Sequence, residues 1–195
     1  MFNQSLLTIV LAGFVFADVA QADEAFYVGT QYHQQKVSTD DLAGDSSIKL
    51  GTISIAGGYQ FTPNWAVELR HHFSAKDKQE TDGNESYRLK VDSQQTLFLK
   101  GSYPLTSEFS VYGLAGYGRT KLQLEVSEMA DNVFYNGQAD FAKTGVSVGF
   151  GGEYQFTPAL SATVEYLQHP TMKIAGDDAV KLKLDSIAIG LNYRF

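Results

Sequence analysis

The chain has 195 residues and a mass of 21.4 kDa, room for one domain and little else. With 22 acidic against 15 basic residues, a formal charge of −7, it lacks the basic face that a phosphate backbone requires, which argues against nucleic acid as a partner. Cysteine is absent, so disulfides, thiolate metal sites and cysteine nucleophiles are excluded. A mean hydropathy of −0.17 beside 44% hydrophobic residues requires apolar and polar residues to be finely interleaved.

Leu6 to Ala17 is an apolar run too short to span a bilayer as a helix, which needs ~20 residues, and it is followed by Ala20-Gln21-Ala22. Small residues at both ends of that tripeptide suit a signal peptidase. The reading is a signal peptide over residues 1–22, cleaved after Ala22, and one domain over 23–195. The usual basic residue before the apolar core is missing, and Asp18 intrudes near its end. The alternative, a buried N-terminal helix, lacks support because the run has no amphipathic face.

The rest of the chain alternates. Ile187, Ile189, Leu191, Tyr193 and Phe195 are apolar, and small or polar residues separate them. A period of two predicts a strand with one apolar face. The same pattern runs through Val146, Val148, Phe150, Tyr154 and Phe156, and through Ile53, Ile55, Tyr59 and Phe61, with Gly152 and Gly57 on the apolar faces.

A motif also repeats. Tyr59-Gln-Phe61-Thr-Pro63 is matched by Tyr154-Gln-Phe156-Thr-Pro158, more loosely by Tyr103-Pro-Leu105-Thr, and by Tyr193-Arg-Phe195. The copies start at 59, 103, 154 and 193, and each interval fits two strands of about ten residues, one short turn and one longer loop. Four such units predict eight strands. Pro63 and Pro158 mark short turns; the longer connections are expected near 35–47, 77–86, 127–142 and 170–180. Short turns at one end and long polar loops at the other describe an outer-membrane barrel, with the turns periplasmic and the loops outside. Tyr59, Phe61, Trp65, Tyr103, Phe109, Tyr154, Phe156, Tyr193 and Phe195 gather at the turn end as an interfacial girdle. A soluble β-sandwich has no reason for such a ring and usually has turns of similar length at both ends.

The Tyr-Gln-Phe-Thr-Pro repeats, the leader and the final Ala188-Ile-Gly-Leu-Asn-Tyr-Arg-Phe195 resemble the OmpA/OmpX-type family of small outer-membrane β-barrels. The resemblance implies an all-β, eight-stranded antiparallel up-and-down transmembrane barrel in the cell outer membrane of a Gram-negative organism. It also implies that Tyr193 and Phe195 form the signal read by the barrel-assembly machinery. The sequence ends at Phe195, so the periplasmic peptidoglycan-binding domain of the OmpA proteins is not carried over.

With Phe61, Leu105, Phe156 and Phe195 toward lipid, parity turns Glu68, Arg70, Lys100, Glu153, Glu165 and Arg194 inward as an ion-pair network. Phe98, Tyr112, Leu114 and Leu167 share that face, so the lumen is expected to be plugged, which disfavours a general porin; a narrow gated pore is an alternative. A second alternative is a lipid A-modifying, deacylase-like enzyme. His72-Phe73-Ser74 has the His-x-Ser spacing of lipid A deacylases, which places base and nucleophile on one strand face. A carboxylate partner is missing, since Glu68 lies about 13 Å away along a strand. His33 and His169 are expected to be solvated rather than metal ligands, and the acidic loops show no calcium-loop spacing. The favoured reading is a monomeric, non-catalytic barrel without cofactor or metal. Its role is structural or interactive through the outer loops, in adhesion, envelope integrity or host-factor binding, and its partners are outer-membrane lipid, lipopolysaccharide, the assembly machinery and host surface factors.

Overall fold

The computed structural model describes residues 26–40, 46–76, 78–82, 85–130, 133–173 and 181–195; the expected signal peptide lies outside them. The strand segments are β1 (Phe26–Asp40), β2 (Ser46–Thr62), β3 (Trp65–Lys76), β4 (Lys78–Asp82), β5 (Glu85–Pro104), β6 (Phe109–Ala130), β7 (Val133–Gln155), β8 (Leu160–Gln168), β9 (Met172–Lys173) and β10 (Lys181–Arg194). β3 and β4 succeed each other along β5, as do β8 and β9 along β10, so the segments make eight staves. Every pairing is antiparallel, and β1 against β10 closes the barrel, from Tyr27 opposite Arg194 to Asp40 opposite Lys181. Closure removes the sheet edges that hydrocarbon does not tolerate. At the seam the Phe195 amide donates to the Phe26 carbonyl at 3.0 Å, so the last residue is tied to the first strand.

The repeated motif is a turn device. Thr62 Oγ1 accepts from the Trp65 amide at 3.0 Å while Gln60 Nε2 donates to the Pro63 carbonyl at 2.9 Å. In the second copy Thr157 accepts from the Leu160 amide at 3.0 Å and Gln155 donates to the Pro158 carbonyl at 3.1 Å. Thr106 repeats the threonine half, accepting from the Phe109 amide at 3.0 Å. These side chains satisfy backbone groups that the ladder leaves open at a tight turn.

Strand lengths correct the sequence expectation. β5, β6 and β7 have 20, 22 and 23 residues rather than about ten, and most of the expected loops at 35–47, 77–86 and 127–142 is strand. In the fourth, Met172–Lys173 is strand and residues 174–180 lie outside the description. The reason is that loss of apolar alternation marks the end of the hydrocarbon, not of the ladder: a neighbouring strand satisfies the backbone above the membrane as well as within it.

The faces follow the expected parity. Leu97, Leu99, Val146, Val148, Val164, Ile187, Ile189 and Leu191 are exposed on the outer face, where lipid replaces water. Three of the inward aromatic rings lie directly opposite a glycine: Tyr27 with Gly58, Phe98 with Gly116 and Tyr112 with Gly151. A Cβ at Gly151 would stand 2.5 Å from the Tyr112 ring, so the ring lies where a side chain would otherwise be.

Candidate functional site

The lumen is layered. At the turn end, Lys100 pairs with Glu153 at 2.7 Å, and Ser161 donates to the same carboxylate at 2.6 Å. The next layer is a buried triad in which Arg70 bridges Glu68 and Glu165, with Nε to Glu68 at 2.8 Å. The aromatic rings complete it. Tyr27 donates to Glu68 at 2.8 Å and Tyr112 to Glu165 at 3.1 Å, Arg70 Cζ stands 5.0 Å from the Phe98 centroid, and Lys100 Nζ stands 4.2 Å from that of Tyr112. Each charge in this low-dielectric space thus has counter-charge, hydroxyl or ring face around it, which buried ions require. Five of the six expected network residues meet in this way. Arg194 stays at the mouth, half-buried, lining a vestibule of about 190 Å³ with Lys100, Glu153 and Asn192. Its ion pair is not formed among the described residues.

Above the triad lies a layer that the sequence reading misplaced. His33 and His169, expected to be solvated, are 0% and 3% exposed and join His72, also 0% exposed, inside the lumen. The centroids of His33 and His72 are 4.5 Å apart, and those of His72 and His169 6.3 Å. Lumen parity continues past the point where the sequence turns polar, so these rings stay inside a wall that outlasts the apolar band. His33 Nε2 meets Ser54 Oγ at 2.8 Å, His169 Nδ1 meets Gln94 Nε2 at 2.7 Å, and Gln35 donates to Thr52 and Gln94 at 3.1 Å. Among the described residues, neither ring nitrogen of His72 has a hydrogen-bond partner. Register sets Ser74 opposite buried Thr52, hence on the His72 face, yet Ser74 is exposed and no hydrogen bond joins the two.

An apolar plug closes the loop end of the lumen. Val37, Leu50, Val91, Leu122, Met172 and Leu184 form one buried cluster, with Ile48, Phe141 and Leu182 against it. The sequence reading missed this cluster and found the lower one, Phe98, Tyr112, Leu114 and Leu167. Its signal was inward parity: β1 carries Val37 through the stretch expected as a loop at 35–47, and β2 and β10 present Leu50 and Leu184 just beyond theirs.

Outside, Tyr59, Phe61, Trp65, Tyr103, Phe109, Tyr154, Phe156 and Tyr193 are exposed at the turn end, Phe195 is half-buried, and Phe26 joins them 4.8 Å from Tyr59. Past the apolar band, β5, β6 and β7 continue as one sheet with a charged outer face. Lys121 pairs with Asp92 at 3.2 Å and Asp140 at 3.0 Å, and Lys90 with Glu125 at 2.8 Å. The Gln138 amide and then Lys121 hold the Asp140 carboxyl below its ordinary value. β8 meets β7 only from Val148 toward the turn end, so among the described residues Val133–Ser147 is paired on one side alone. Of the acidic loop residues, Asp41, Asp45, Asp77, Asp131, Asp177 and Asp178 lie outside the described residues.

Comparison with known proteins agrees with this architecture. Outer membrane protein P5 of Haemophilus influenzae is 26% identical over 213 residues, covering 99% of this chain and 60% of the relative; the chain thus spans little over half of that protein's length. The crystal structure of Ail, the attachment invasion locus protein of Yersinia pestis, superposes with a TM-score of 0.57 at 18% identity, covering 89% of this chain and all of that one. Neisserial surface protein A gives a TM-score of 0.51 at 16% identity, covering 87% of this chain and 97% of the other. At such identities the structural likeness speaks for the fold alone. The family described as the outer membrane protein beta-barrel domain matches residues 7–195, and the chain therefore belongs to this family of cell outer-membrane barrels.

Proposed function

We propose that the protein is a non-catalytic surface-interaction protein, acting in adhesion or host-factor binding through the sheet that β5, β6 and β7 raise beyond the membrane. The observation that carries this is the long edge of β7 from Val133 to Ser147, which among the described residues pairs with β6 on one side only. An open edge offers backbone donors and acceptors to an extended segment of a partner, and a sheet anchored in a barrel presents them rigidly. The likeness to Ail, the attachment invasion locus protein, which was also solved with the heparin analogue sucrose octasulfate, supports a host surface partner.

Other activities fit the site less well. The filled lumen and the apolar plug leave little room for a general porin. A deacylase-like role needs His72 and Ser74 in contact at the membrane surface, whereas the imidazole is shut in the lumen and the hydroxyl is exposed. The partners proposed are host surface factors at the loops, lipopolysaccharide around the wall and the assembly machinery at Tyr193 and Phe195. The test is to replace the β6–β7 hairpin above the membrane with a short Gly-Ser turn and measure binding of expressing cells to host cell layers. Loss of binding with the barrel still heat-modifiable is expected; undiminished binding would overturn the proposal.

A further inference from the structure

The vestibule at the turn end, opposite the raised sheet, encloses about 190 Å³, which at about 30 Å³ per water is the space of roughly six waters. The lumenal carboxylates around it are already spent. One oxygen of Glu153 accepts from Lys100 at 2.7 Å and the other from Ser161 at 2.6 Å. Glu68 and Glu165 are taken by Arg70, Tyr27 and Tyr112. At the rim, Glu108 accepts from the Thr106 and Ser107 hydroxyls of its own turn at 3.3 and 2.8 Å.

Arg194 is therefore left over. It sits at the barrel seam opposite Tyr27, half-buried, and its guanidinium makes no hydrogen bond or ion pair among the described residues. One step deeper on the same face, Asn192 is 7% exposed and its side-chain amide makes none either. The amide oxygen lies over Gly29, where a Cβ would stand 2.1 Å away. Both side chains line the vestibule. A buried amide and a planar fork of N–H donors without acceptors call for a ligand that supplies oxygen.

We propose that the vestibule binds the C-terminal carboxylate of a peptide, with Arg194 as its counter-ion and Asn192 as a second donor. A guanidinium matches a carboxylate in a two-bond fork, and one unspent cation balances one negative charge, not the two of a phosphate. The rim supplies the complement to the chain behind that carboxylate. Gln60, Asn64 and Gln155 give their amide N–H groups to the carbonyls of Pro63, Ser102 and Pro158. Their own side-chain oxygens remain as acceptors for peptide N–H groups. The charge triad and the apolar plug close the lumen beyond, so the ligand enters and leaves by the turn end, which in such barrels faces the periplasm. The vestibule thus docks a chain end and does not pass it on.

The test titrates isotope-labelled full chain, refolded in detergent micelles, with N-acetyl-trialanine, its C-terminal carboxamide or inorganic phosphate, and follows amide chemical shifts. Saturable shifts are expected at Asn192, Arg194, Ser161 and Asn64 with the free-acid peptide. The carboxamide and Arg194→Gln should each weaken binding roughly tenfold or more, as loss of a charge-assisted pair implies. Lys36→Gln, on the outer wall toward the loop end, should leave it unchanged. Should Arg194→Gln fail to fold, the wild type decides through its preference for the acid over the carboxamide. No saturable shift, equal response to both peptides, or phosphate binding as tightly as the acid would overturn the proposal.

Discussion

Replacing Arg70 with Met probes how the barrel tolerates charge in its lumen. Arg70 is 1% exposed and is the cation between Glu68 and Glu165, which are each 3% exposed. Without it two buried carboxylates face each other with only the Tyr27 and Tyr112 hydroxyls left from the triad's own bonds. Leaving one buried charge uncompensated costs about 3–5 kcal/mol. Two like charges in one layer set the expectation at the upper part of that range, and the lost contact with Phe98 adds to it. The assay is urea unfolding of refolded barrel in lipid vesicles, followed by the fluorescence of Trp65, the single tryptophan. The triple variant Glu68→Gln, Arg70→Met, Glu165→Gln removes all three charges and should recover most of the loss, because uncharged packing in place of a buried ion network is often neutral or stabilising. If Arg70→Met alone falls within about 1 kcal/mol of wild type, the triad is not the paired, desolvated network described here.

Truncating the plug at Leu122 to Ala should cost about 2–5 kcal/mol and raise single-barrel conductance in planar bilayers, since Leu122 is 1% exposed in the cluster that closes the loop end. Gly151→Val should lower the folded yield, because its Cβ would meet the Tyr112 ring at 2.5 Å, whereas Gly57→Val, with nothing within 4 Å, should assemble normally; heat-modifiability on gels reads both. Asp140 lies on the sheet above the membrane, and its carboxyl is held below the ordinary 3.8. Its pairing therefore contributes fully above that value and is lost as pH falls through the depressed one, so amide exchange near Lys121 should rise on acidification in wild type and not in Asp140→Asn.

Sequence carried the fold well, because a barrel immersed in lipid repeats one simple constraint. Ile187 to Phe195 must alternate, and Thr62 and Thr157 must cap turns, wherever the strand stands in the ring. The charge triad was legible for the same reason: Glu68, Arg70 and Glu165 sit at inward parity, and the interior of eight strands is narrow enough to bring them together. Beyond the hydrocarbon the code fades. Outward residues turn polar there, so Val133–Ala142 reads as loop although it is ladder, and the inward His33 and His169 read as solvated although they are sealed in. Pairing Tyr27 with Gly58, or Tyr112 with Gly151, depends on the shear between strands, which a single sequence does not state.

The central claim is that the raised sheet, not a catalytic pair, performs the cellular role. Its most direct test is one adhesion measurement on cells expressing equal amounts of folded wild type, a Gly-Ser loop-swapped barrel, His72→Ala or Ser74→Ala. Binding to host cell layers should disappear with the loop swap and persist in both point variants. If the loop-swapped barrel still binds while Ser74→Ala does not, the account is wrong.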